Sequence, residues 1–189
     1  MERRGFLEGV LGMALWNIFA GREAAAQPAV KDMKGIEELQ KNWKTLLPVG
    51  AKVPAPTEQV KLTQDEWRKR LNPAAYGVLR EEGTERAGTS PLNQEKREGV
   101  FVCAGCDLPL FTSAMKYESG TGWPSFFTTI PGVFGMKTDH KLFLPRKEYH
   151  CIRCGGHHGH VFDDGPPPTG QRWCNNGVAL KFVPKAAKA

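Results

Sequence analysis

Two cysteine pairs constrain this chain more than anything else in it. Cys103-Ala-Gly-Cys106 and Cys151-Ile-Arg-Cys154 each hold two thiols two residues apart. That spacing lets both thiolates of a pair reach one tetrahedral ion, and two pairs complete its coordination. A chain tied in this way must bring residues 103 and 151 together and fold residues 107–150 as a lobe inserted between the knuckles. Zinc with four sulfur ligands fits, and with every position filled such a site is structural. In an oxidising compartment the alternative is two disulfides. A Cys-x-x-Cys disulfide, however, closes a very small loop and gains little from chain entropy. An iron–sulfur cluster is a third reading. Gly105, Gly155 and Gly156 supply the freedom that tight knuckle turns need.

The segments around the knuckles read as short strands. Val100–Val102, Leu142–Leu144, Tyr149–Ile152, Val161–Phe162 and Val178–Val183 are apolar runs bounded by turn residues. With 21 glycines and 14 prolines in 189 residues, the composition favours turns and short strands. The expected fold is mainly β over residues 63–185, with short helices at its start. Thr63-Gln-Asp-Glu66 is a capping box that opens one helix, with Trp67 and Leu71 on its inner face. A second helix is expected from Pro73 through Leu79, followed by a polar loop over 83–98. Before the domain lies a Pro-containing extension, residues 27–62. In it Ile36, Leu39, Trp43, Leu46 and Leu47 share one helical face and predict a strap packed on the domain.

The first 26 residues read as an address rather than fold. Arg3-Arg4 precedes a short apolar stretch, Gly9–Ala20, and Ala24-Ala25-Ala26 offers a cleavage site before Gln27. This is the pattern of a twin-arginine signal peptide and predicts a periplasmic or otherwise exported protein. Glu2 departs from it, and an uncleaved amphipathic anchor is the competing reading. The net charge is +6, but the basic residues are scattered and form no patch suited to nucleic acid. The mature domain is expected to act as a monomer.

One cysteine has no Cys-x-x-Cys partner. Cys174 lies in Arg172-Trp173-Cys174-Asn175-Asn176. A neighbouring cation and amide donors favour thiolate over thiol, which suggests a working nucleophile; a buried, inert cysteine is the bland alternative. Upstream stand His157, His158 and His160. With four cysteines already available as a ligand set, a histidine near Cys174 serves better as an acid or an activating partner.

These residues, taken in order, resemble the methionine sulfoxide reductases of the B type. The resemblance covers about residues 63–184. It rests on Gly83-Thr84-Glu85-Arg86, on the Cys103/Cys106 knuckle with Leu108-Pro-Leu-Phe111, and on Gly122-Trp123-Pro124-Ser125-Phe126. It continues through Arg146-x-Glu148, the Cys151/Cys154 knuckle, Gly156-His157-x-Gly159-His160-Val161-Phe162, Asp164-Gly165-Pro166 and Arg172-x-Cys174-x-Asn176. The resemblance implies an antiparallel β-tent with a Cys103/Cys106/Cys151/Cys154 zinc. It implies Cys174 as nucleophile and His160 as proton donor, with His157, Asp164, Arg172 and Asn176 in the active site. Trp123, and beside it Phe162, would bind substrate, the indole cradling the S-methyl group. The implied reaction reduces the R epimer of methionine sulfoxide and leaves Cys174 as a sulfenic acid. The competing class is a zinc-knuckle binding module with an inert Cys174.

The chain departs from its apparent relatives at four places. Asn175 and Gly177 stand where many have an apolar residue and Ser, which predicts altered loop contacts. His158 replaces a common Leu and predicts a polar edge. Thr121, in Ser119-Gly120-Thr121-Gly122, stands where many have a recycling cysteine. With the other four cysteines assigned to zinc, an external dithiol protein or small thiol must then reduce Cys174.

Overall fold

The structure, a computed structural model, describes residues 30, 32–140 and 145–186. The leader expected over 1–26 and the strand expected at Leu142–Leu144 lie outside the described residues.

Helix α1 (Met33–Asn42) starts where the Asp32 carboxylate accepts the Gly35 N–H at 2.9 Å. It continues into a 3-10 turn, Trp43–Leu46. Ile36 is buried, and Leu39, Trp43, Leu46 and Leu47 pack against the core, as the helical spacing predicts. The extension is therefore a strap, pinned further by a 2.9 Å bond from Gln40 Nε2 to Thr128 Oγ1. Helix α2 (Gln64–Arg70) has both halves of its capping box in place. Thr63 N donates to Glu66 Oε2 at 2.7 Å, and Glu66 N donates to Thr63 Oγ1 at 3.3 Å. Trp67 and Leu71 are buried. Helix α3 (Pro73–Glu81) is capped by Asn72, has Pro at its first position, and runs two residues beyond the expected end before Glu82 turns left-handed.

Among the described residues nine strands follow, all antiparallel where paired. They are β1 (Gly99–Cys103), β2 (Pro109–Thr112), β3 (Lys116–Tyr117), β4 (Ser125–Phe126), β5 (Phe134–Asp139), β6 (Arg146–Cys151), β7 (His157–Phe162), β8 (Arg172–Asn175) and β9 (Leu180–Pro184). They form a three-stranded sheet, β2-β1-β9, and a six-stranded sheet, β3-β4-β8-β7-β6-β5. The sheets meet through aromatic rings. Phe111 stacks on Phe126 at 3.9 Å between centroids, and Phe101 meets Phe126 edge-on at 5.1 Å.

The expected strand 178–183 begins late. Gly177–Ala179 is a 3-10 turn, because the Glu85 carboxylate accepts the Gly177 and Val178 N–H groups at 2.6 and 2.9 Å and bends the chain there. On β7, Gly159 is required by close approach: a Cβ there would lie 1.9 Å from the Cys174 carbonyl oxygen. That contact lets β8 lie tight against β7 in the register His160 opposite Cys174.

Candidate active site

The two knuckles are built alike. Each starts at the last residue of a strand, Cys103 of β1 or Cys151 of β6. In each, the N–H four residues on returns to the first cysteine's carbonyl, Asp107 to Cys103 at 2.9 Å and Gly155 to Cys151 at 2.8 Å. The residue after the second cysteine is left-handed in both, Asp107 at φ 63° and Gly155 at φ 68°. The sequence points to Gly105 as the flexible residue of the first knuckle; the structure places the left-handed turn on Asp107 instead. A short polar side chain tolerates that region better than most.

The four sulfurs gather within 4.8 Å of one another and are buried. Two close contacts cross between knuckles, 3.7 Å from Cys103 to Cys154 and 3.5 Å from Cys106 to Cys151. A tetrahedron with metal–sulfur bonds of about 2.3 Å has edges of about 3.8 Å. These cysteines are free rather than disulfide-linked, and their spacing fits one tetrahedral ion. Two arginines fasten the knuckles through backbone oxygens: Arg80 donates to the Cys154 carbonyl at 2.8 Å and Arg153 to the Cys106 carbonyl at 2.9 Å.

Cys174 is placed differently, in the middle of β8. It faces Ser125 of β4 on one side and His160 of β7 on the other. Its half-buried thiol opens on a cavity of about 240 Å³. Trp123, Phe162, His160, Arg172 and Asn176 also line that cavity, together with Thr84, Thr121 and Arg146. A larger groove of about 560 Å³, between α1 and β2, is lined by none of these groups.

Burial pushes the Cys174 thiol above its ordinary pKa, while the Arg172 charge and hydrogen bonds from Thr121 and Arg172 pull it back. Arg172 is held rigidly for that task. Its Nε and NH2 donate to the two Asp164 oxygens at 2.8 and 2.9 Å, and its guanidinium lies 4.3 Å above the Phe162 ring. That pairing holds the Asp164 carboxyl below its usual range. Asp164 thus stands behind Arg172 rather than on the cavity wall. Phe162 lines the cavity and supports Arg172 at once.

His160 Nε2 lies 2.8 Å from Asp139 Oδ2, and Arg146 NH2 donates to the same oxygen at 2.6 Å. Burial is the main cause that lowers the His160 pKa and favours the neutral imidazole, against the hydrogen bond to Asp139. With Nε2 on Asp139, the proton exchanged directly with a ligand belongs to Nδ1. His157 stands a layer further back, its Nδ1 2.8 Å from the buried Glu148 and its ring 5.5 Å from that of His160. Asn176 is fixed at both ends of its amide. Oδ1 accepts the Glu85 N–H at 2.9 Å and Nδ2 donates to the His158 carbonyl at 2.9 Å, which leaves one N–H for a ligand. The Trp123 indole N–H donates to the Glu85 carbonyl at 3.1 Å. Glu85 therefore ties together Asn176, Trp123 and the turn after β8.

Two readings of the departures need correction. His158 is not a polar edge but wholly buried, and Asn175 is not in a loop but buried on β8. The two meet. Asn175 Oδ1 accepts from Tyr149 OH at 3.0 Å and lies 3.2 Å from His158 Nδ1, while its Nδ2 donates to the Asn176 carbonyl at 2.7 Å. A polar pair has entered the core and satisfied all its polar atoms but His158 Nε2, which is buried without a hydrogen-bond partner. Sequence reasoning missed Asp139 altogether. It ends a strand that is mostly exposed before it, and its role comes from register, opposite Arg146 on β6.

The SelR domain family matches residues 71–184. Among similar proteins, Peptide methionine sulfoxide reductase MsrB of Methanosarcina barkeri is 49% identical over 124 residues, 65% of this chain and 87% of that protein. The protein of that name from Pseudomonas putida is 47% identical over 129 residues, 68% of this chain and 97% of its own length. The chloroplastic Peptide methionine sulfoxide reductase B1 of Arabidopsis thaliana is 49% identical over 126 residues, but the match spans only 62% of that longer protein. The architecture, the four-cysteine cluster and these matches agree, and the chain belongs to the SelR-domain family, that of the B-type methionine sulfoxide reductases.

Proposed function

We propose that this protein reduces methionine-R-sulfoxide, in proteins and as the free amino acid, to methionine. The observation that carries the reading is the convergence of Cys174, His160 and Trp123 on one cavity, with a hydrogen-bonded cation beside the sulfur. The Cys174 thiolate attacks the sulfoxide sulfur. His160 takes up a solvent proton at Nδ1 while Nε2–H stays on Asp139, and passes it to the oxygen, which the remaining Asn176 N–H holds. Trp123 and Phe162 offer apolar walls to the S-methyl group. The new sulfur–sulfur bond replaces the sulfur–oxygen bond as the twice-protonated oxygen leaves as water; a water then attacks the Cys174 sulfur and breaks the sulfur–sulfur bond, so that methionine leaves, a proton is released and Cys174 is left as sulfenic acid. Thr121 offers no thiol to resolve it, so two equivalents of an external thiol, or one dithiol protein, return Cys174 to the thiol and release water and a disulfide.

The spacing of the four knuckle sulfurs supports zinc as a structural ion held by Cys103, Cys106, Cys151 and Cys154, with no open position for chemistry. Elemental analysis should give one zinc per chain; stoichiometric iron would overturn the assignment. The twin-arginine pattern of residues 1–26 supports export, with the mature chain beginning at Gln27. Cell fractionation with N-terminal sequencing checks it, and an intact leader on a cytoplasmic protein would refute it. Among the described residues no helix is long and apolar enough to cross a membrane.

Single-turnover reaction with the separated epimers tests the reading directly. One equivalent of the R epimer should be consumed per chain, and the S epimer should be left. A wild-type protein inert to both would end the proposal.

A further inference from the structure

Three hydroxyls in a row lead to the Cys174 sulfur. The Thr121 hydroxyl lines the same cavity as the Cys174 sulfur and acts to lower its pKa. Thr121 Oγ1 lies 2.9 Å from Ser119 Oγ, and Ser119 Oγ lies 2.7 Å from Ser125 Oγ. Ser125, fully buried and opposite Cys174 in the β4–β8 register, ends the row with a 3.1 Å bond from its hydroxyl to the Trp123 carbonyl.

Each hydroxyl has a single hydrogen, so the direction of the row can be worked out. With Ser125 donating to the carbonyl, Ser119 must donate to Ser125 and Thr121 to Ser119. Thr121 is then left as an acceptor, which suits a protonated Cys174 S–H. A thiolate has no hydrogen and must accept. For that state the row reverses: Thr121 donates to sulfur, Ser119 to Thr121 and Ser125 to Ser119, and the Trp123 carbonyl gives up its donor. Three hydroxyl rotations accomplish this with no proton transfer. The indole stays in place throughout, because the Glu85 carbonyl, which lies outside the row, holds its N–H.

We propose that Thr121, Ser119 and Ser125 form a reversible hydroxyl chain that donates a hydrogen bond to Cys174 as thiolate and withdraws it when the sulfur is a thiol. Thr121 is on this account a catalytic residue, and Ser119 and Ser125 position its hydrogen. A charge-assisted hydrogen bond, reinforced by two others pointing the same way, favours the reactive form. The charged and titratable groups around the sulfur are Arg172 and Asp164, Tyr117 on β3, Tyr149 on β6 and His160 on β7, with Arg146 across the cavity. None of the three hydroxyls titrates in the working range, so their removal changes the Cys174 titration without altering any of those charges.

The chain serves the proposed reductase, but its test is independent of it. The pH dependence of Cys174 alkylation by iodoacetamide is followed on the full, zinc-loaded protein, with mass spectrometry of the Cys174 peptide. Thr121→Val keeps the shape and removes the donor. Its alkylation midpoint should rise by about one pH unit, a roughly tenfold slower reaction near pH 7.5. Thr121→Ser should return the rate to within about twofold of wild type, and Ser119→Ala should fall between. An unchanged midpoint in Thr121→Val overturns the proposal. So does a Thr121→Ser variant as slow as valine, which would assign the effect to packing. If Thr121→Val does not fold, Ser119→Ala decides alone, and an unchanged midpoint there counts against the chain. A wild-type protein inert to both sulfoxide epimers would end the reductase reading and leave this titration untouched.

Discussion

The protein sets the same side chain in two opposite environments. At the knuckles, four cysteines sit at tight turns with their sulfurs buried against one another. At the cavity, one cysteine sits mid-strand with its sulfur half open. Arginines attend both places but do different things. Arg80 and Arg153 bind knuckle carbonyls and leave the sulfurs to one another. Arg172 is locked by Asp164 and Phe162 so that its charge bears on the Cys174 sulfur. The backbone decides which role a cysteine takes, because only a mid-strand position offers neighbours from two other strands.

The sharpest way to break this comparison is to exchange the consequences. Cys174→Ser should lower sulfoxide reduction by about 10⁴-fold or more, the scale seen when a nucleophile is removed. Metal content and thermal unfolding should stay at wild-type values. A variant that lost metal along with activity would show the two sites to be coupled. Cys106→Ser should do the reverse. It leaves Cys174 chemically intact but opens the metal site, and the cooperative unfolding transition should broaden or vanish. A native melting curve in the metal-free variant would make the knot dispensable.

Asp139 belongs to the cavity side of the comparison, and its effect should be smaller. Asp139→Asn keeps the size of the side chain but removes the charge that Arg146 and His160 share. The amide can present its NH2 to His160 Nε2 and reverse the imidazole tautomer, the kind of error that is costly in acid–base catalysis. We expect reduction of the R epimer to fall by about 10- to 100-fold, with the alkylation rate of Cys174 changed by less than about threefold. Equal losses in both assays would place Asp139 in the fold rather than with His160.

Much of this was legible in the sequence where chemistry and spacing coincide. The Cys-x-x-Cys pairs announce a shared ion, and the Thr63/Glu66 box and the Ile36-to-Leu47 face announce helices, because each pattern is local. The cavity wall is not local. Asp139 and Glu85 reach Cys174's surroundings through strand register and a backbone N–H bond between residues far apart in sequence, and Thr84 joins the cavity wall beside Glu85. Strands β3, β4 and β8 are two to four residues long and carry polar groups, so no alternation betrays them. His158 and Asn175 look like surface residues one at a time. Only the pairing of β7 with β8 brings them together in the core.

That buried pair gives the finest test of the difference between the two sides, since it lies directly behind Cys174 and holds no metal. Burial, with the nearby His157, lowers the His158 pKa from 6.5 to about 3, against the Asn175 hydrogen bond, which favours the charged form. The folded protein keeps this imidazole neutral, while the unfolded chain protonates it below pH 6.5. The unfolded state therefore binds the extra proton between those two values, and stability falls as pH drops from 6.5 toward 3. The slope contributed is about 1.4 kcal/mol per pH unit at most. Above pH 6.5 the group adds no slope. His158→Leu should cost about 1 kcal/mol at neutral pH, since Asn175 Oδ1 still accepts from Tyr149 and only one hydrogen bond is lost. On acidification the variant should lose stability less steeply than wild type, so that the two denaturation midpoints converge and then cross. Parallel decline of both would mean that His158 takes up its proton in the folded protein, and that the core behind Cys174 opens to water far more readily than the packing of Tyr149, His158 and Asn175 implies.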